Sequence, residues 1–334
     1  MKAVVVPKYN APLEFTELPK PTIKANDEVL IKVAYASLNP IDYKRADGML
    51  KIIKSDTFPY IPAYDVSGTV ESVGSDVEQF RSGDKVFARI GDDAPGTLAE
   101  FVVTPSHLVA HAPKSISLEE AAAVPLAGMT ALQTIRRAGF SSGQSMLVTA
   151  GAGGVGIFAL GLAKNVFNGA EVATTASTKK VELVRSLGAT KVIDYTKQDY
   201  TKELKDVDFV FDTMGDLKTP LKVIRQGGRL STIAGIPPAS ELIGKFANQP
   251  GMPIRFILNT LDWWQARPAR SAGVTFQSVF MQTNGKDLAE LAGYIDEGKL
   301  KVVLDSTYAL QDAQKAWDKL KDGHATGKIV VAVA

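Results

Sequence analysis

Ser145-Met146-Leu147-Val148-Thr149-Ala150-Gly151-Ala152-Gly153-Gly154-Val155-Gly156 is the stretch that decides how the rest of this chain is read. Its opening residues are an apolar run of strand length, and its last six fit G-x-G-x-x-G. An apolar segment with helical spacing follows, over residues 155–166. The glycine string alone is weak evidence; between a strand and a helix it becomes informative. Glycines there permit a tight turn and let backbone N–H groups approach a diphosphate. The start of the helix adds about half a positive charge to hold it. Dinucleotide binding is therefore the first expectation.

Reading outward toward the C-terminus, strand-like and helix-like segments alternate. A second strand is expected at 171–175, then a helix with Val181, Val184 and Leu187 on one face and Gly188 as its stop. Further strands are expected at 191–194, 207–212 and 229–234. Strands separated by helices imply a parallel, doubly wound sheet. Upstream the texture differs. Short β-like runs at 28–33, 66–74 and 85–88 are separated by turn residues such as Gly83-Asp84 and Gly91-Asp92-Asp93, which suits a β-barrel-like domain. After residue 272 mixed elements return, with a helix at 287–297 stopped by Gly298 and a last strand at 328–333. The expected fold class is α/β, with a barrel domain formed by residues 1–122 and 273–334 and a nucleotide-binding Rossmann domain formed by residues 123–272.

The second strand also bears on which dinucleotide is used. A carboxylate at its end usually binds the ribose hydroxyls of NAD. Here the strand ends Thr174-Thr175-Ala176-Ser177-Thr178-Lys179-Lys180, with no acid. A hydroxyl and two ammonium groups suit a 2′-phosphate that an acid would repel, so NADPH is the expected cofactor.

Composition narrows the field further. The chain has 334 residues, enough for two domains with cores of their own. Its 38 basic and 36 acidic residues leave a net charge of +2, which provides no field for a polyanion, so nucleic acid is not an expected partner. No stretch of about 18 apolar residues appears, so no membrane span and no membrane partner is expected. The opening Met1-Lys2-Ala3-Val4-Val5-Val6-Pro7 reads as a strand rather than a signal peptide, and a cytoplasmic location is the expectation. There is no cysteine, which removes disulfides, thiol nucleophiles, iron–sulfur clusters and thiolate zinc sites. Of the three histidines, His107 and His111 lie on strand and loop and His324 in a turn; all three are read as structural. The Trp263-Trp264 pair, with Arg267 and Arg270, reads as core or interface before substrate stacking.

Several segments, taken in order, resemble the medium-chain dehydrogenase/reductase superfamily over nearly the full length. They are Asn39-Pro40-Ile41-Asp42-Tyr43-Lys44, Pro62-Ala63-Tyr64-Asp65-Val66-Ser67-Gly68, Gly83-Asp84-Lys85-Val86 and Gly96-Thr97-Leu98-Ala99-Glu100-Phe101. Ala123-Val124-Pro125 with Gly128-Met129-Thr130-Ala131, the glycine loop, Gly227-Gly228-Arg229-Leu230 and Gly323-His324-Ala325-Thr326-Gly327-Lys328-Ile329-Val330 complete the set. The pattern is similar to the zinc-independent quinone oxidoreductase and enone (2-alkenal) reductase branch, and it implies a GroES-like catalytic domain beside the Rossmann domain. Ala63 departs from the glycine usual in relatives. Zinc-dependent relatives carry ligands near Asn39 and Tyr64, so the resemblance implies no metal here.

The resemblance also implies a cofactor site. Gly153, Gly154, Val155 and Gly156 would face the diphosphate, Ser177 and Lys180 the 2′-phosphate, and Tyr195 the adenosine ribose. Ile233, Ala234 and Gly235 would pass the cofactor's middle, and Phe280 and Met281 would bind the nicotinamide carboxamide, with Lys44 and Thr130 as further contacts. Hydride addition to an enone leaves an enolate that needs a donor and then a proton. Asn39, Tyr43 and Tyr64 are the candidate catalytic residues, Tyr64 reading as an aromatic wall before a proton donor. Three functions stay open: a two-electron enone or alkenal reductase, a one-electron reductase of ortho-quinones, and a noncatalytic NADPH-binding sensor or interaction protein. A homodimer is expected, with the apolar run 274–280 as an edge strand.

Overall fold

Met146, Leu147 and Val148 are wholly buried, as are Phe209, Val210 and Phe211. Uninterrupted apolar runs of this kind belong to a sheet covered on both faces. The computed structural model, which describes residues 1–51, 55–243 and 251–333, places both in a six-stranded sheet. Across it the strands run Lys191–Asp194, Glu171–Ala176, Ser145–Val148, Val207–Asp212, Ile224–Thr232 and Thr275–Ser278, every neighbouring pair parallel. The chain winds outward from Ser145–Val148 in one direction, then resumes on its other side. A crevice opens at such a reversal, beyond the carboxyl ends of the strands.

The expected apolar helix after the glycine loop is Gly156–Gly161, continued by a π turn over Leu162–Val166. Gly188 and Gly298 stand just past their helices with positive φ, as their C-terminal placement requires. Ala63 has φ +69°, the left-handed region, which is the physical reason glycine suits that position.

The second sheet is built on the 11-residue strand Glu28–Leu38. Its first half pairs with Phe101–Pro105 and its last residues with Lys328–Ala332, while Asp65–Val73 lies along its other side. Register shifts at Leu30/Ile31 and Val33/Tyr35 let one strand turn between two partners. Lys85–Arg89 and Val109–His111 extend the sheet beyond Asp65–Val73, and Leu304–Ala309 flanks Lys328–Ala332. Val29, Ile31, Val33, Val66 and Val86 share one core inside the curl.

One boundary differs from the sequence reading. The return to the barrel domain was expected at residue 273, but Thr275–Ser278 pairs with Arg229–Thr232 as the sixth strand of the nucleotide sheet. Helix Gly285–Asp296 then packs Leu288 and Leu291 into the same core as helix Pro125–Arg137. The chain first rejoins the second sheet at Leu304–Ala309. A short β-rich run carries no local mark of the sheet it will join, so its sequence reads the same on either side of the boundary.

Candidate functional site

The glycine loop sits at the sheet's reversal. A Cβ on Gly156 would lie 2.5 Å from the Ala150 carbonyl oxygen and 2.7 Å from Gly151 Cα, so only glycine closes this turn. Among the described residues, the N–H groups of Val155 and Gly156 find no backbone acceptor, while Gly153 and Gly327 form a parallel bridge. Two unspent donors at a helix start are the chemistry a diphosphate needs, so the loop fits the expected dinucleotide. Gly327 closes over the loop from the barrel side, its N–H donating to the Ala152 carbonyl at 2.9 Å.

Ser177 follows strand Glu171–Ala176 and opens the 3-10 turn Thr178–Lys180. Lys180 Nζ reaches the His324 carbonyl at 3.4 Å and stays partly exposed. Asp194, a neighbouring acid, is already engaged. Hydroxyls of Thr178, at 2.5 Å, and Thr196, at 2.6 Å, donate to it and hold its carboxyl down to about 2. Tyr195 follows it, 61% exposed, where a ring can cover a ribose.

The floor of the site is a buried polar cluster. Asn39 Nδ2 donates to Asp65 Oδ2 at 2.8 Å, and Lys328 Nζ donates to Asn39 Oδ1 and, at 2.9 Å, to the Leu38 carbonyl. Asp65 Oδ1 accepts the Leu126 N–H at 3.0 Å, fixing the start of helix Pro125–Arg137. Lys328 and Asp65 are 3.7 Å apart, at 3% and 0% side-chain exposure. Burial draws Lys328 below and pushes Asp65 above its ordinary value, and each is the strongest opposing charge for the other.

Two cavities meet above this floor. A groove of about 300 Å³ runs along Gly153, Gly154, Val155 and Gly156, past Tyr43 and Lys328. A second cavity of about 180 Å³ is walled by Ile41, Leu126, Val279, Phe280 and Met281, with Asn39, Lys44, Arg89 and Thr130 as its polar lining. Asn39, Pro40, Leu126, Val155 and Ile233 belong to both.

Most of the residues expected at the site are therefore gathered there, but not all. Tyr64 lines neither cavity: it is 3% exposed, its hydroxyl accepts from Arg45 Nη1 at 2.9 Å, and Arg89 stacks on its ring at 4.5 Å. It is a wall behind the site. Ala234 and Gly235 follow strand Ile224–Thr232 without lining either cavity, and Ser177, Lys180 and Tyr195 lie outside both as well. Arg89 and Lys328 were not expected. Arg89 is 3% exposed and pairs with Asp92 at 2.5 Å, and nothing near it in sequence announces a cleft residue. Lys328 closes a recognisable segment, but its partner Asn39 is 289 residues away.

The alcohol dehydrogenase GroES-like domain model matches residues 25–114, and the zinc-binding dehydrogenase model matches residues 187–331. The 2-methylene-furan-3-one reductase of Solanum lycopersicum is 38% identical over 319 residues, 93% of this chain and 73% of that protein. The NADPH-dependent alkenal/one oxidoreductase, chloroplastic, of Arabidopsis thaliana is 39% identical over the same shares. The chain belongs to the medium-chain dehydrogenase/reductase family, in its quinone and enone reductase branch. The solved quinone oxidoreductase from Coxiella burnetii aligns with a TM-score of 0.86 at 30% identity, over 100% of this chain and 99% of that one.

One matched family model is named for zinc, but this member of the family offers other donors. Where zinc relatives hold ligands it has Asn39, bound to Asp65 and Lys328, and Tyr64, bound to Arg45. Among the described residues no three His, Cys, Asp or Glu side chains are grouped to hold a metal ion.

Asp42, in the family's Asn-Pro-x-Asp segment, accepts the Asn39 N–H at 2.6 Å and leaves Oδ1 buried without a partner. Burial pushes its carboxyl up from 3.8 to about 7, with Asp65 adding to the rise. A raised carboxyl means that the fold favours the neutral acid. The stability it contributes is full below about pH 4 and is lost as pH rises to about 7. Three pH units correspond to about 4 kcal/mol. Asp42→Asn should flatten this component, so that the variant gains stability on the wild type progressively between about pH 4 and pH 7. Parallel melting temperatures across that range would contradict the assignment.

Proposed function

We propose that the protein is an NADPH-dependent oxidoreductase that delivers a hydride to the activated C=C bond of enones and 2-alkenals, or to quinones, without zinc. One observation carries this reading: a diphosphate-binding groove opens directly into an apolar cavity, and Asn39 stands at the junction. The activities for which the Solanum lycopersicum and Arabidopsis thaliana relatives are named support the acceptor class, and the second also supports the cofactor.

In this reading the N–H groups of Val155 and Gly156 bind the diphosphate beside Gly153 and Gly154, and Ser177 and Lys180 take the 2′-phosphate. Thr130, Phe280 and Met281 seat the nicotinamide end at the cavity. Bound NADPH supplies the hydride. Ile41, Leu126 and Val279 exclude water and hold the acceptor's carbon chain, which strengthens every polar interaction inside. Lys328 and Asp65 fix the Asn39 amide, and its remaining Nδ2–H, with the Lys44 ammonium, faces the oxyanion as charge develops. Among the described residues Lys44 has no ion-pair partner, so its charge is available to the cavity.

Acyclic enones, 2-alkenals, an ortho-quinone and a para-quinone, assayed by NADPH consumption, separate the readings. Turnover of enones with no semiquinone signal is expected. Ortho-quinone turnover through a semiquinone, with enones inert, would move the assignment to one-electron chemistry. Tight NADPH binding with no turnover of any acceptor would leave a sensor. We also propose a homodimer through Thr275–Ser278, whose outer side is the open edge of the six-stranded sheet. Its native mass should be about twice that of the chain, and a monomer's mass would contradict it.

A further inference from the structure

Helix Met252–Ser271 runs 20 residues beside the edge of the nucleotide sheet, yet only Leu258, Ala266 and Ala269 are buried. They seat it through Ala269 on Leu230 and Val274, and through Leu258 on Leu242. Six of the twelve large hydrophobic side chains exposed on the described surface lie on this one helix: Met252, Phe256, Ile257, Leu261, Trp263 and Trp264, between 42% and 75% exposed. At 3.6 residues per turn all six fall within about half the helix circumference. A continuous apolar face of this kind marks an interaction surface.

The charges on the helix say what kind of surface it meets. Its ionic residues are Arg255, Asp262, Arg267 and Arg270. Arg267 and Arg270 fall on the apolar arc by the same spacing, and Arg267 stacks on Trp264 at 5.6 Å. The one carboxylate, Asp262, turns inward and accepts from Gln265 Nε2 at 3.0 Å. The outward arc therefore carries two guanidinium groups and no acid. A second copy packed arc to arc on this helix would bring its arginines to two more, with no carboxylate on either arc to pair them. An anionic bilayer offers phosphates for the arginines and an acyl boundary for the aromatic rings.

We propose that Met252–Ser271 is a membrane-surface helix, lying in the headgroup plane of anionic lipid. Phe256, Trp263 and Trp264 enter the acyl boundary, and Arg267 and Arg270 hold lipid phosphates. No helix among the described residues is long and apolar enough to cross a membrane, and lying in the interface does not require one. The inner side of the helix packs Leu258 and Leu242 against Phe280, which lines the apolar cavity. The helix thus sets that cavity close to the bilayer, where apolar acceptors dissolve.

The test is co-sedimentation of the full chain with vesicles of phosphatidylcholine alone and of phosphatidylcholine mixed equally with phosphatidylglycerol, at low and high salt. Tryptophan emission is read alongside, and because Trp317 is 4% exposed a shift reports Trp263 and Trp264. Binding about tenfold or more stronger to the anionic vesicles, weakened by salt and accompanied by a blue shift, is expected. A Phe256→Ser, Trp263→Ser, Trp264→Ser variant and an Arg267→Glu, Arg270→Glu variant should each lose that binding while native mass and NADPH turnover stay unchanged. Wild-type protein that ignores anionic vesicles, or variants that bind them equally well, would overturn the proposal. A variant that changes native mass while wild type ignores vesicles would place a second copy on this face. Vesicle binding is read without turnover, so its failure leaves the reductase assignment untouched.

Discussion

Ser177→Asp combined with Lys180→Ala lowers kcat/KM for NADPH by about two to four orders of magnitude and leaves NADH turnover unchanged or improved. Two charge-assisted contacts to a 2′-phosphate contribute about 1.5–3 kcal/mol each, and a new carboxylate adds repulsion. Every 1.4 kcal/mol is about tenfold, so the loss is a factor of about 100 to 10,000. The two residues bracket the turn after strand Glu171–Ala176, and neither is buried, so the fold should tolerate both changes. Steady-state rates with each cofactor at a fixed acceptor concentration check the prediction. Equal losses for NADPH and NADH would mean that the pair supports the loop rather than the phosphate.

Lys328→Met should cost about 3–5 kcal/mol of stability, the range for breaking a buried ion pair from one side. It leaves Asp65 wholly buried without its strongest opposing charge, faced by the Arg89 guanidinium and by the hydrogen bonds from Asn39 and the Leu126 N–H. Adding Asp65→Asn removes the stranded charge and should restore most of the loss in chemical denaturation. The double variant should nonetheless reduce acceptor turnover more than NADPH binding, because the Asn39 amide is no longer held from both ends. A double variant as unstable as the single one would show that Lys328 acts by filling space.

The two predictions rest on parts of the site that differ in how visible they are in sequence. Ser177 and Lys180 follow a strand within one continuous segment, and so do the glycines of the loop, because a strand–turn–helix unit writes its geometry locally. Arg89 and Lys328 are the opposite case. Arg89 ends strand Lys85–Arg89, where its inward direction depends on pairing with Asp65–Val73, and Lys328 meets Asn39 only once the barrel closes. Thr275–Ser278 was recognisable as a strand, but its place in the nucleotide sheet depends on which edge was open. Trp263 and Trp264 read as core or interface, yet both rings are half exposed and line neither cavity, since the helix uses its opposite side to pack. Hydropathy alone cannot say which side of an amphipathic helix faces its own domain when both sides carry apolar groups.

The proposed reaction is hydride transfer from NADPH to carbon at the cavity lined by Asn39, Phe280 and Met281. It is tested most directly with NADPH carrying deuterium at the nicotinamide C4, an acyclic enone, and a metal chelator present throughout. Label at the β-carbon of the saturated ketone, at a rate the chelator does not change, is the predicted result. A reduced product without label from either face of the nicotinamide, or turnover abolished by the chelator, would contradict it.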